Sequence, residues 1–248
     1  TLNGCIGTPS SYTITVYPTP TVSVPASASY CSGVSVSASA FTSSPAGGTF
    51  AWTNSNTAIG LAASDTGNTP VFTATNLTGA TITATITVTP TLNGCVGTPS
   101  SYTIMVYPTP TVSVPANASY CNGVSVPASA FTSSPAGGTF SWTNSNTGIG
   151  LAASGSGNTP VFTATNLTGA TISATITVTP TLNGCVGTPS SYTITVNPSA
   201  STNAIGSIQA CPGDIVPVSA FASTPAGGSF TWTNSNTSIG LAASGVGN

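Results

Sequence analysis

The sequence predicts an all-β protein built from tandem two-sheet sandwiches of about 90 residues each, set in a linear array. Three observations carry that expectation. The composition favours strands, an ungapped 90-residue repeat runs the length of the chain, and apolar residues alternate with period two inside each repeat.

Composition comes first because it also excludes functions. Among 248 residues only Asp65 and Asp214 are charged, and Lys, Arg, His and Glu are absent. An ordinary soluble chain is roughly 25% charged. General acid–base catalysis needs a titratable group beside the reacting atoms, and a Ser or Thr nucleophile needs a base. Nucleic-acid binding rests on Lys and Arg. Zinc sites need His or several thiolates, and calcium sites need clustered carboxylates. The residue types therefore argue against an enzyme, a metal centre, a cofactor or a nucleic-acid partner. Disorder is not implied either, since 39% of residues are hydrophobic and the net charge is only -2. In residues 1–90, Ser and Thr make up 33 positions. Thr, Val and Ile suit a pleated surface, and the strong helix formers are nearly missing. No run of 18 apolar residues occurs, so no membrane insertion is expected. No basic segment precedes an apolar stretch, so no signal peptide is read.

The repeat sets the organisation. TLNGC begins at Thr1, Thr91 and Thr181, and residues 1–90 match residues 91–180 at 80 of 90 positions. Residues 181–248 match 91–158 at 44 of 68, with most divergence between Asn197 and Val218. Pro-rich segments at Tyr17–Pro20, Tyr107–Pro110 and Asn197–Ala200 read as short stiff connections. The expected division is then the C-terminal strands of a preceding sandwich (1–18), two complete sandwiches (19–108 and 109–198) and the N-terminal half of a further one (199–248). Such an arrangement fits either a segment of a longer array or strands exchanged between neighbouring chains.

Within the first complete repeat, Ile82, Ala84, Ile86 and Val88 share one strand face, with Thr on the other. Tyr102, Ile104 and Val106 alternate likewise. Val22 and Val24, then Val34 to Ala40, then Phe50 and Trp52, then Phe72 and Ala74, mark further strands. Pro45-Ala46-Gly47-Gly48, Gly67-Asn68 and Leu77-Thr78-Gly79 punctuate them. About seven short strands of this kind indicate a sandwich of immunoglobulin type. Trp52, Trp142 and Trp232 are read as core anchors, two residues after a Phe on an alternating strand; the competing reading is an exposed platform for sugar.

Other groups are weighed against structural roles. Asp65 is replaced by Gly155 and Gly245, so it is no repeated ligand. Asp214 reads as a turn cap. The run Trp52-Thr53-Asn54-Ser55-Asn56-Thr57 recurs at Trp142 and Trp232, and its Asn and Ser side chains suit turns. Asn76, Asn117, Asn166 and Asn236 stand in N-x-S/T acceptor sequences. Six cysteines alternate at spacings of 26 and 64, which suggests disulfides and an oxidising compartment. Two regular pairings remain open. One lies within a domain, Cys31 with Cys95 and Cys121 with Cys185. The other joins neighbours, Cys5 with Cys31, Cys95 with Cys121 and Cys185 with Cys211. The first is preferred, and its 64-residue loop would restrict the unfolded chain by roughly 4 kcal/mol.

Taken together, three motifs resemble PKD-like (immunoglobulin-like) tandem repeats. They are Cys31-Ser32-Gly33, the run from Trp52 to Ser64, and Asn93-Gly94-Cys95 followed by Ser101-Tyr102-Thr103-Ile104. The resemblance covers the whole chain. It implies a β-sandwich array from a large secreted surface protein of Bacteroidetes-type bacteria, exported commonly by type IX secretion, although the usual sorting domain is not in this sequence. The expected function is structural: the rod of an extracellular adhesin or surface filament on the bacterial cell surface, without catalysis. Alternatives are a glycan-binding accessory module of a secreted protein and a strand-exchanging filament subunit. Self-association with like repeats is the expected partnership, because uncharged strand edges lack the gatekeepers that block edge pairing. A glycan or surface partner is the second.

Overall fold

The computed structural model describes residues 1–248. Apart from three one-turn 3-10 helices, its regular structure is all β-strand. The first complete repeat lays down β1 (Thr21–Ser23), β2 (Ala28–Cys31), β3 (Ser35–Val36), β4 (Thr42–Ser44), β5 (Thr49–Asn54), β6 (Ser64–Thr66), β7 (Phe72–Thr73), β8 (Ile82–Leu92), β9 (Cys95–Val96) and β10 (Ser100–Tyr107). The second repeats the series as β11 (Thr111–Ser113), β12 (Ala118–Cys121), β13 (Ser125–Val126), β14 (Thr132–Ser134), β15 (Thr139–Asn144), β16 (Ser154–Ser156), β17 (Phe162–Thr163), β18 (Ile172–Leu182), β19 (Cys185–Val186) and β20 (Ser190–Asn197). Residues after 200 add β21 (Ser201–Thr202), β22 (Ser223–Thr224), β23 (Thr231–Thr233) and β24 (Ser244–Val246).

The longest strand organises each sandwich. In β8, Ala84, Ile86 and Val88 are fully buried while the intervening Thr side chains point away. That alternation follows from the two-residue pleat. β8 pairs antiparallel with β10 on one side (Ile86 opposite Tyr102, Ala84 opposite Ile104) and with β5 on the other (Val88 opposite Trp52). The main sheet runs β2-β10-β8-β5-β6, and β9 folds back on the end of β8. β2 joins β10 in parallel, with Cys31 opposite Tyr107. The pairs β1–β4 and β3–β7 make up the rest of the strand structure. Val36, Phe41 and Phe72 form one core cluster with Trp52, Ile86, Val88, Tyr102, Ile104 and Val106. At about 1.5–3 kcal/mol for each fully buried large apolar side chain, that cluster is the main stabilising term of the repeat. The second repeat builds the equivalent cluster around Trp142, Ile176 and Ile194.

Turns are fixed by small polar groups. Ser43 Oγ donates to the Pro45 carbonyl at 2.8 Å and accepts from Gly48 N at 2.9 Å. The same pair of bonds recurs at Ser133 and Ser223. Gly60 ends the one-turn helix Thr57–Ile59 at φ 93°, and a Cβ there would meet Thr75 Oγ1 at 2.9 Å and collide with the Thr73 carbonyl oxygen. Only glycine fits both the left-handed backbone and the space.

The chain divides into two compact units, Thr1–Thr109 with Asn183–Cys185, and Pro110–Leu182 with Val186–Asn248. Cys31 is bonded to Cys185, with a Cα–Cα distance of 5.5 Å, while Cys5, Cys95, Cys121 and Cys211 are free thiols. This corrects the expected pairing of Cys31 with Cys95 and of Cys121 with Cys185, and the neighbour alternative with it. The reason lies in the register. Cys31 sits opposite Tyr107, one step beyond the Val106–Ile82 pair, whereas Cys95 sits opposite Leu92 at the other end of β8. Ten residue steps of strand separate those ends, about 33 Å, and a disulfide spans at most ~7 Å between Cα atoms.

Two segments keep the repeat's sequence without its ladders. Residues 1–18 carry the sequence of β9 and β10 but show only a bridge between Leu2 and Cys5. Tyr12, Ile14 and Val16, the counterparts of buried Tyr102, Ile104 and Val106, are exposed. β10 is held between β2 and β8, and no equivalent of either lies beside residues 12–16. Trp232, expected as a core anchor, is half-buried for the same reason: β23 pairs only with β24 and has no counterpart of β8.

Candidate functional site

The recurrent Trp-Thr-Asn-Ser-Asn-Thr run is the feature most suggestive of a site, and its geometry can be followed group by group. Trp52 leaves β5 inward and is 1% exposed; Trp142 is 4% exposed. Neither indole Nε1 has a hydrogen-bond partner. Both rings therefore act through apolar packing. Asn54 is buried, donates from Nδ2 to the Leu61 carbonyl at 2.9 Å and accepts from Asn56 N at 3.0 Å. Asn56 caps the one-turn helix by accepting from Ala58 N, and its Nδ2 donates to the Thr83 carbonyl. Ser55 Oγ accepts from Thr85 N at 2.8 Å. Asn144, Asn146 and Ser145 repeat all of these bonds. The run thus clamps the β5 end to β8, and its Asn and Ser side chains are committed to backbone.

Asn76 completes the buried polar set. Its Nδ2 donates to the carbonyls of Ala80 (2.8 Å) and Val106 (2.7 Å), and its Oδ1 accepts from Thr78 N and Oγ1. Asn166 does the same with Ala170, Val196 and Thr168. Asn76 and Asn166 are 5% and 3% exposed, so the amide nitrogens that a glycan would need are buried and occupied. Asn117 and Asn236 are exposed; each carboxamide oxygen accepts from a backbone N–H, of Thr193 and Ser238 respectively. Sequence reading gave the four acceptors equal standing, because the N-x-S/T pattern carries no information on burial.

No group of three or more His, Cys, Asp or Glu side chains is gathered anywhere. Asp65 Oδ1 accepts from Thr66 N, and Asp214 Oδ2 accepts from Cys211 N, which is the turn geometry expected of a short carboxylate. An open groove of about 530 Å³ beside Phe41 and Phe50, whose rings meet edge to face at 5.8 Å, contains no charged group.

The outward face of the main sheet carries rows of Ser and Thr. Thr87 stands opposite Thr53 on β5 and Ser101 on β10, and Thr85 stands opposite Thr103. In the second repeat Thr177 stands between Thr143 and Ser191, and Thr175 opposite Thr193. This is a face of small hydroxyls without a charge.

A sandwich of this strand order, present twice, defines a tandem immunoglobulin-like β-sandwich protein. The family model described as the PKD-like domain matches residues 28–110 and again 118–200, more than half of the chain, and the chain belongs to that family. No curated protein matches the sequence. Among solved structures, it is similar to titin domains I67–I69 in an E-to-A mutated variant (TM-score 0.45, 11% identity, 75% of this chain and 68% of that one). It is also similar to the IG1+IG2 structure of DIP-gamma (TM-score 0.42, 10% identity, 73% and 98%). Protocadherin gamma B7 cadherin domains 1–4 give a TM-score of 0.38 at 17% identity; the match covers 72% of this chain and about half (49%) of that one.

Proposed function

We propose that the chain is a passive structural repeat region, the rod of an extracellular adhesin or filament at a bacterial cell surface. One observation carries the reading. The side chains that could have recognised a ligand are spent on the fold itself, twice over, in two nearly identical sandwiches. The outward face of β5, β8 and β10 presents Ser and Thr hydroxyls and no charged side chain. The functional units are sandwiches at 19–108 and 109–198, and the partner is another repeat of the same kind. A disulfide fits an oxidising, extracellular setting.

Electron micrographs of the native material test this directly. Filaments with a regular axial repeat are expected; isolated, flexible, monomeric beads would sink the proposal. The glycan-binding alternative needs an exposed indole, so acrylamide quenching separates the two. Weak quenching of Trp52 and Trp142 is expected of the rod. Strong quenching of all three, with saturable glycan binding, would favour the module.

A further inference from the structure

We infer that the Cys31–Cys185 bond is one instance of a pairing rule that runs along the array: the cysteine ending β2 of one repeat bonds the cysteine opening β9 of the next. The partner for each remaining thiol is therefore a second copy of the same repeat. The separation states the rule. Cys31 and Cys185 lie 154 residues apart, which is one repeat of 90 plus the 64 residues from Cys31 to Cys95.

The free thiols occupy the same two places. Cys121 ends β12 opposite Asn197, as Cys31 ends β2 opposite Tyr107. Cys95 opens β9 after the turn Asn93-Gly94 (φ 50° and 80°), as Cys185 opens β19 after Asn183-Gly184 (φ 51° and 78°). Cys5 follows Asn3-Gly4 (φ 50° and 86°) and is bridged to Leu2, so it presents the β9 type of thiol as well. Cys211 is the counterpart of Cys31 and Cys121 in the repeat. The chain thus holds two unpaired cysteines of each type, Cys121 and Cys211 of one, Cys5 and Cys95 of the other. The two types sit at opposite ends of the main sheet, so no repeat can satisfy both by itself, and each must reach into a different neighbour.

The chemistry needs an oxidant. Each bond forms from two thiols, which give up two protons and two electrons; a small-molecule disulfide such as oxidised glutathione takes them up and leaves as two thiols. A thiolate attacks the small disulfide, and the second cysteine's thiolate then displaces the glutathione from the mixed disulfide.

The inference rests on the array reading proposed above but is tested separately from it, since bond types are read whether or not filaments appear. The intact chain is incubated with oxidised glutathione and mapped by mass spectrometry of unreduced peptides. The expected result is an internal Cys31–Cys185 bond, together with intermolecular bonds joining Cys121 or Cys211 to Cys5 or Cys95. Multimers that collapse with dithiothreitol should accompany them. The double variant Cys121→Ser, Cys211→Ser, checked for folding by tryptophan emission, should lose essentially all such multimers although Cys5 and Cys95 remain. The rule is overturned if bonds between cysteines of one type are as frequent as mixed ones. Persistence of multimers in the double variant, or four thiols that stay free in the wild-type chain, would overturn it too.

Discussion

At the scale of single residues, stability is concentrated in a few buried groups. Trp52 fills the sandwich without a hydrogen bond from its indole. Trp52→Ala should therefore cost about 3–5 kcal/mol, as large aromatic truncations do, whereas Trp52→Phe forfeits no polar contact and should cost markedly less. Urea unfolding of the two variants measures the difference. Asn76 is the polar counterpart. Its amide donates to the Ala80 and Val106 carbonyls; Asn76→Ala removes the buried bond to Val106, while Ala80 keeps a bond from Thr78 Oγ1. A loss of about 1–3 kcal/mol is expected in the same assay. If Asn76→Ala proved neutral, the role given to this buried network would be wrong.

At the scale of elements, the strand pattern makes opposite faces of β8 unequal. Ile86 is fully buried and Thr87 faces outward. Ile86→Ala should lower stability by about 2–5 kcal/mol, while Thr87→Lys, on the next residue, should stay within about 0.5 kcal/mol. Thermal melts of the pair check the register, since a one-residue slip would exchange the two outcomes. The one-turn helix Thr57–Ile59 makes a second element-level test. Gly60→Ala puts a methyl group against the Thr73 carbonyl at a positive φ. It should destabilise by more than the roughly 1 kcal/mol of an ordinary glycine effect, and an unchanged melt would refute the close approach.

At the scale of the molecule, the absence of cationic side chains removes every side-chain ion pair. Raising NaCl from about 50 to 500 mM should then move the unfolding midpoint by less than ~1 °C through screening. Sulfate should still raise the midpoint, because it strengthens apolar burial and not charge pairing. A large destabilisation by NaCl would mean that electrostatics contributes in a way the composition gives no means of providing.

The sequence by itself determined the all-β class, the 90-residue unit and the inward faces of the strands. Each of these is local or periodic, and β-branching, turn residues and alternation are written directly in the chain. The buried Trp52 was legible too, from its place two residues after Phe50. Three things were decided only by tertiary structure. Asn76 and Asn117 share one sequence pattern, but only packing puts the first inside and leaves the second outside. Trp52 lies opposite Val88, and only that pairing of β5 with β8 closes the core over its ring. Cys31 and Cys95 share a repeat, yet the strand direction places them at opposite ends of the sheet. A disulfide requires atoms to meet in space, and spacing along a chain does not say which end of a strand a residue will occupy.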